Sequence, residues 1–401
     1  MREPQEEPPR FEWDPTFAWF LLLFFLFNVA LGVFPPLLPQ IMEDLRLSFA
    51  GTGLLGTAFG LFRFLVDLPV GYLLERLGPR IVLHSAAGLL LLGTALSALA
   101  NSFWTMFAAR ALLGAGSGMA MVLAILYLMR RGAAVHRNRR ANLYELAVIA
   151  GMAISSQAGG VIAGSLGWRQ SFVAAGVVMV AAWVVGARGV LPGVRDLMVD
   201  SGEHATRDSR EARTISLGPT VTVYMLIFAQ AFAWGGGIST LLPLYGGEAL
   251  HLTPEVIGRS MAVAFWVEVC LLFPVGWAAD VWGKARVVLP GFLAMLAGTL
   301  AAPLTQGAGG YGMAFVLLVG GMSVWMAAPA LLAEQSVGGF RGKGAGLYRL
   351  VTDFGFIVAP AAVGWLIGAC GFAMAAAAIG LVLLVAIVLS IRYLRNPRPV
   401  R

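Results

Sequence analysis

The chain has 401 residues, 59% of them hydrophobic and only 12% charged. Soluble domains average about 25% charged residues, so the composition excludes an ordinary water-soluble globule. The formal charge of +7 does not point to nucleic acid, because the charges lie between apolar runs, with no basic face and no interleaved aromatics.

Residues 1–16 are net acidic, with Arg2 and Arg10 against Glu3, Glu6, Glu7, Glu12 and Asp14. The apolar run that follows, 17–38, is too long for a signal-peptide core, and no small-residue cleavage site follows it. At about 1.5 Å per residue it can cross roughly 30 Å of hydrocarbon. Runs of this kind fall near 17–39, 49–74, 80–100, 103–129, 141–165, 169–191, 217–246, 255–279, 286–304, 311–335, 344–369 and 372–394. In lipid an open segment must satisfy its own backbone, so each run is expected to be a helix. Cys270 and Cys370 both lie in such runs and are expected to be packed helix residues, not a disulfide.

The positive charges test the number of crossings. With both termini in the cytoplasm and strict alternation, 23 of the 28 Lys and Arg fall in inner segments and 3 (Arg46, Arg169, Arg259) in outer loops. The remaining two, Arg63 and Arg110, fall deep within spans, whereas Arg349 is counted at the inner end of the eleventh. The longest connection, 192–216, sets Asp196, Asp200, Glu203, Asp208 and Glu211 against four arginines and reads as a partly disordered cytoplasmic linker.

The chain also repeats itself. An offset of 205 pairs Pro69-Val70-Gly71 with Pro274-Val275-Gly276, Glu75 with Asp280, Gly78 with Gly283, and Gly93-Thr94 with Gly298-Thr299. An offset of 204 pairs Leu37-Leu38-Pro39 with Leu241-Leu242-Pro243, Tyr144 with Tyr348, and Gly151 with Gly355. The expected fold is therefore an all-α membrane protein of twelve transmembrane helices, arranged as two pseudo-symmetric six-helix bundles. Its parts would be a tail (1–16), bundles at 17–191 and 217–394 joined by the 192–216 linker, and a second cytoplasmic tail (395–401). Parallel repeats of this kind are a transporter architecture, with the solute site between the halves near the midplane.

The loop Gly71-Tyr-Leu-Leu-Glu75-Arg76-Leu-Gly78-Pro-Arg80 resembles the Gly-x-Leu-x-Asp-Arg-x-Gly-x-Arg signature of the major facilitator superfamily, with Glu75 in place of the aspartate. A weaker copy, from Gly276 through Asp280 and Gly283 to Arg286, stands at the repeat spacing. Physically, Gly71 would let two helices approach closely, Gly78 would permit a tight turn, and a carboxylate among arginines can form a breakable ionic latch. The resemblance implies that Glu75, Arg76 and Arg80 hold the cytoplasmic gate shut in the outward-facing state. It extends over nearly the whole chain and implies a secondary transporter of the drug or metabolite exporter kind.

Arg110, Gly114 and Gly118 share one helix face and resemble the family's fourth-helix motif, whose arginine is associated with proton coupling. The acid that usually accompanies it in the first helix is missing; only Asn28 stands there. The stretch from Gly151 to Gly160 resembles the fifth-helix signature of the antiporter branch, with its central Gly-Pro replaced by Ser155-Ser156, while Ala359-Pro360 occupies the matching place in the eleventh helix.

Charges within spans are costly and point to function. Arg63 and Asp67 are one turn apart in the second helix, and Arg349 and Asp353 in the eleventh; matched by depth, they are expected to form Arg63–Asp353 and Asp67–Arg349 pairs joining the halves. Either a static clamp or one that breaks during transport fits these residues. Glu268 lies mid-span at the repeat position of Arg63 (268 − 63 = 205), with no evident basic partner. An isolated carboxyl is costly there as an anion, which suits a group that takes up and releases a proton. Glu268, Arg110 and Asp353 are thus the candidate proton-coupling residues, whereas Glu145 and Glu334 are expected nearer the cytoplasmic ends.

The candidate solute wall consists of Asn28, Gln230, Trp234, Trp266, Glu268 and Trp325. Such aromatic and amide groups suit an amphiphilic solute better than a sugar. Gly235-Gly236-Gly237 and Pro35-Pro36 would let the seventh and first helices bend.

The favoured reading is proton-coupled export of a small amphiphilic or organic solute. An uptake symporter for an organic anion is the alternative if Arg63 or Arg110 faces the cavity unpaired, and a non-transporting receptor is the alternative of another class. The four histidines (His84, His136, His204, His251) are scattered, and no nucleophile, metal-spaced cluster or nucleotide-binding loop is present, so neither an enzyme, a metal nor a cofactor is expected. The expected partners are the solute, protons and lipid, with the chain acting as a monomer in the inner (plasma) membrane.

Overall fold

The computed structural model describes residues 14–130, 137–193, 217–325, 327, 330, 331 and 345–394. Residues 1–13 and 395–401 of the tails, the linker acids, Glu334, His136 and His204 lie outside the described residues, as does the side chain of Glu75.

The described residues form an all-helical protein. Ten helices are long and apolar enough to cross a membrane. In chain order these are α1 Pro15–Asp44, α2 Phe49–Tyr72, α3 Arg76–Ala98, α4 Phe103–Leu128, α5 Arg139–Leu166, α6 Trp168–Gly193, α7 Gly218–Ala249, α8 Pro254–Trp282 and α9 Lys284–Leu304, then, after a shorter apolar helix α10 (Ala308–Val324), α11 Leu347–Tyr393. Gly371, at φ 84° and ψ 173°, bends α11 into two arms, 347–370 and 372–393.

Local chemistry sets these boundaries. The Asp14 carboxylate accepts from Thr16 N at 2.9 Å, with Pro15 in the first turn, where its missing N–H costs nothing. Ser48 caps α2 by accepting from Gly51 N at 3.1 Å, and Thr253 caps α8 by accepting from Val256 N at 3.4 Å. These two caps are a repeat pair, since 253 − 48 = 205. Six described residues have positive φ: Arg46, Gly78, Gly167, His251, Gly283 and Gly371. They too form repeat pairs: 251 − 46 = 205, 283 − 78 = 205 and 371 − 167 = 204. The repetition therefore reaches the backbone dihedrals.

Gly371 combines its φ with an extended ψ, a region that an L side chain occupies at a cost of roughly 1–3 kcal/mol. Gly371→Ala is expected to lower the thermal midpoint in detergent, while the folded fraction keeps its transport rate; fluorescence melting beside a flux assay checks both.

The first and seventh helices depart from regular α-helix at the proline and glycine segments expected to let them bend. Helical pairing in α1 breaks at residues 32–33. Pro35 and Pro36 have no N–H to offer the carbonyls of Leu31 and Gly32 four residues back. α7 widens into π turns over Ala233–Leu241, where the Thr240 hydroxyl donates to the Gly235 carbonyl at 2.9 Å.

Two seams join the N-terminal and C-terminal halves: α2 packs on α11, and α5 on α8. A Cβ at Gly53 would strike the Pro360 carbonyl and one at Gly364 the Phe49 carbonyl, with the two glycines themselves in contact. On the other seam a Cβ at Gly258 would strike the Ser156 carbonyl and one at Gly160 the Pro254 carbonyl. The crossings are equivalent by the repeat (258 − 53 = 205; 364 − 160 = 204). The Thr57 hydroxyl adds a bond to the Ile357 carbonyl at 2.7 Å.

Cys270 and Cys370 are free but exposed, which corrects the expectation that they pack inside. Mean hydropathy cannot tell a residue facing lipid from one facing a neighbouring helix.

Candidate translocation cavity

Between the two seams lies a cavity of about 770 Å3, lined by α1, α2, α4 and α5 from one half and by α7, α8, α11 and Trp325 from the other. Among the described residues the halves touch at one end of it and stand apart at the other. Gly71 lies 18 residues beyond Gly53 on α2, about 27 Å along the axis. A Cβ built there, or at its mate Gly276, meets nothing within 4 Å. The close approach expected at Gly71 is therefore not made in this conformation. Gly78 and Gly283 do adopt the positive-φ turns expected of them. Arg76, Arg80, Asp280 and Arg286 are exposed, and none of them makes an ion pair with a described residue. Arg76 instead lies 4.4 Å from the Tyr72 ring centre.

Deeper in, α2 and α11 bring four charges together. The Arg349 Nε donates to Asp67 Oδ2 at 2.6 Å and to Asp353 Oδ2 at 3.3 Å, while Arg63 Nε stands 3.8 Å from Asp353 Oδ1. Arg349 also reaches Asp67 through Nη2. One arginine therefore bridges both carboxylates, a link that matching by depth alone does not reveal. Asp353 is 1% exposed, so its charge is balanced almost wholly by these two guanidiniums.

Arg110 meets no carboxylate among the described residues. Buried on α4, it lies between the rings of Phe34 and Phe59, 3.9 and 4.6 Å from their centres, and donates through Nε to the Leu55 carbonyl at 3.4 Å. Planar guanidinium suits this sandwich, in which ring faces take the place of the absent acid. Gly114 and Gly118 do lie on a close-packed face: Cβ atoms there would touch the carbonyls of Phe59 and Arg63 on α2. In α5 the Ser155 hydroxyl donates to the Val29 carbonyl at 2.7 Å and Ser156 to Met152 at 2.9 Å.

Asn28, Trp234, Trp325 and Glu268 line the cavity. The Asn28 amide donates to its own helix at the Phe24 carbonyl, 2.8 Å away. Two other residues expected in this wall are elsewhere. Gln230 is 2% exposed yet lines no part of the cavity. The widened turns that begin at Ala233 shift the phase of α7, so Trp234 faces inward and Gln230 packs within the bundle. Trp266 is 45% exposed on the outer face of α8, because Met261, Phe265 and Glu268 form the cavity-facing stripe and residue 266 lies about 100° away from 265.

A family model described as Major Facilitator Superfamily matches residues 20–257 and 223–401. The chain belongs to the major facilitator superfamily. It is 22% identical over 364 residues to the inner membrane transport protein YajR of Escherichia coli (strain K12), covering 84% of this chain and 74% of that protein. Over 130 residues it is 32% identical to solute carrier family 2, facilitated glucose transporter member 12, of Danio rerio. That match spans 32% of this chain and only 21% of the zebrafish protein's length. The crystal structure of the human organic anion transporter MFSD10 (TETRAN) shares the fold, with a TM-score of 0.65 over 94% of this chain and 99% of that one at 16% identity. The chain is thus a multi-pass membrane protein of a secondary-transporter family.

Within this major facilitator cavity stands one acid placed elsewhere by hydropathy. Glu145, expected near the cytoplasmic edge, lines the cavity on α5. The repeat carries the signal that locates it: 349 − 145 = 204, so Glu145 is the counterpart of the seam residue Arg349.

Proposed function

We propose that this chain is a secondary active carrier that exports a small amphiphilic organic solute by alternating access, in exchange for protons. In this reading twelve helices cross the inner (plasma) membrane, the two arms of α11 counting separately, and both termini are cytoplasmic. The bundles are 17–191 and 217–394, the segment 192–216 links them, and 1–16 and 395–401 are tails. One observation carries the reading: a cavity fed by both halves is closed at one end by two repeat-equivalent backbone crossings and is open at the other. Two equivalent seams are what two bundles need to rock about a shared site. The inner latch would close as the outer crossings part, through Glu75, Arg76 and Arg80, with Gly71 and Gly78 permitting the approach and Asp280, Gly283 and Arg286 forming the second copy.

Asn28, Trp234 and Trp325 are assigned to the solute wall, Glu268, Arg110 and Asp353 to proton coupling, and Arg63, Asp67, Arg349 and Asp353 to a clamp that opens during the cycle. The cavity is complete within one chain, which supports a monomeric unit. Arg110, a cavity guanidinium without a carboxylate, favours a second reading as an uptake symporter for an organic anion. Liposomes carrying the purified chain and a pH-sensitive dye separate the two. Antiport releases internal protons when solute is loaded on the opposite side, symport carries protons with the solute, and no solute-dependent proton flux in either direction sinks both.

A further inference from the structure

The two seams match in backbone and oppose each other in charge. Counting from the glycine crossings, Arg63 lies 10 residues beyond Gly53 and Arg349 lies 15 before Gly364. On the other seam Glu268 lies 10 residues beyond Gly258 and Glu145 lies 15 before Gly160. The repeat therefore maps the arginine pair of the α2–α11 seam onto a glutamate pair on the α5–α8 seam (268 − 63 = 205; 349 − 145 = 204). At about 1.5 Å per residue, both pairs sit roughly 15–22 Å below their crossings.

The arginines have resident counter-ions, Asp67 and Asp353. The positions equivalent to those aspartates on the second seam are Leu272 (272 − 67 = 205) and Ile149 (353 − 149 = 204), both apolar. The glutamates are thus left with no built-in cation. Glu268 is 2% exposed, lines the cavity, and its Oε2 has no hydrogen-bond partner among the described residues. Glu145 lines the same cavity, makes no ion pair with a described residue, and is close enough for its charge to act on Glu268. The other cavity charges are already engaged: Arg63 and Arg349 with the aspartates, and Arg110 between two rings.

Next to Glu268 stands an aromatic cluster. Phe265 is one turn away on the same face of α8, its ring 5.8 Å from Trp234, and Trp234 is 6.4 Å from Trp325. Ring faces attract a cation that has shed its water, and a buried carboxylate supplies the net charge.

We propose that Glu145 and Glu268, with the Trp234–Phe265–Trp325 cluster, form a subsite for a lipophilic organic cation, which serves the two glutamates as Asp67 and Asp353 serve the two arginines. This names a solute class for the carrier reading and rests on it. The cation bridges the two halves on one seam as the aspartates do on the other. A neutral or anionic solute of the same shape lacks that bridge.

The test uses the purified full chain in nanodiscs, with empty nanodiscs as background. Equilibrium binding is measured for tetraphenylphosphonium, for tetraphenylborate (an anion of nearly the same shape) and for neutral triphenylphosphine oxide. The wild type is expected to bind the phosphonium at least about tenfold tighter than the borate. Glu268→Gln and Glu145→Gln should each weaken phosphonium binding about tenfold and leave the neutral oxide unchanged. A preference for the borate, no binding of any probe, or variants that shift cation and neutral probe equally would overturn the subsite. The cation-against-anion comparison needs only the wild type, so it stands even where a variant fails to fold. Proton-linked flux in liposomes is scored separately: flux with no cation preference removes this inference alone, whereas absent flux removes the carrier reading.

Discussion

Asp353→Asn is expected to abolish transport and to reduce the yield of folded protein. Asp353 is 1% exposed and stands between two guanidiniums, Arg349 at 3.3 Å and Arg63 at 3.8 Å. Arg349 keeps Asp67 after the change, but Arg63 loses the only carboxylate with which it forms an ion pair among the described residues. Breaking a buried pair by removing one partner costs about 3–5 kcal/mol, because the other charge stays behind without compensation. That is a large fraction of the roughly 5–15 kcal/mol by which a typical domain is stable. Removing both charges is far cheaper, so Asp353→Asn with Arg63→Gln should recover much of the folded yield that Asp353→Asn loses. A double-mutant cycle on detergent melting temperatures reads the coupling, and additive effects would show that the two residues do not interact. The bridge also changes what a charge swap can achieve. Exchanging Arg63 and Asp353 alone puts a new arginine one turn from Arg349 and a new aspartate one turn from Asp67. Only inversion of all four charges keeps the interhelical pairs and the 349–353 link without setting like charges one turn apart, and only that variant is expected to approach wild-type flux.

Much of this arrangement is legible in the sequence because a bilayer imposes simple rules. Long apolar runs must be helices, and a duplicated chain must place equivalent residues at equivalent depths. For that reason the offsets of 204 and 205 pick out residues that also share backbone dihedrals, such as Arg46 with His251 and Gly167 with Gly371. Depth matching likewise puts Arg63 near Asp353 and Asp67 near Arg349, and in the structure those side chains meet. Rotation about a helix axis is harder to read. Where lipid and neighbouring helices are equally apolar, nothing in composition distinguishes the outward Trp266 and Cys270 from the inward Phe265 and Glu268. A change of helix pitch is hidden as well, and the π turns after Phe232 take Gln230 off the cavity wall. The sandwich of Arg110 between Phe34 and Phe59 joins three helices, and a phenylalanine inside an apolar run carries no mark of such a role. Glu145 shows the opposite case: its signal was available in the repeat, but hydropathy alone places it at the membrane edge.

The crossings at Gly53 and Gly258 suggest a second large effect, on the balance between conformations. In both places a methyl group would overlap a backbone carbonyl of the facing helix, Pro360 or Ser156, and a carbonyl cannot swing aside as a flexible side chain can. Gly258→Val therefore cannot keep the α5–α8 backbones at their present distance. Overpacking of this kind costs about 1–3 kcal/mol, which is enough to move a two-state population about fivefold to more than a hundredfold. The penalty falls only on the state in which the crossing is closed, so the population should shift toward the state in which that end is parted. Spin labels on the loops at 46 and 251 should report a longer distance in Gly258→Val than in the wild type, together with slower flux, because one half of the cycle becomes hard to enter. Gly276→Val is the matched comparison. It lies on the same helix, 18 residues further along, where a Cβ meets nothing within 4 Å in this conformation. It leaves the closed crossings intact and hinders approach at the opposite end, so its distances at 46 and 251 should stay short. If both variants gave the same distances, the glycine crossings would not be what holds that end of the cavity shut, and the two-ended closure behind the carrier reading would lose its basis.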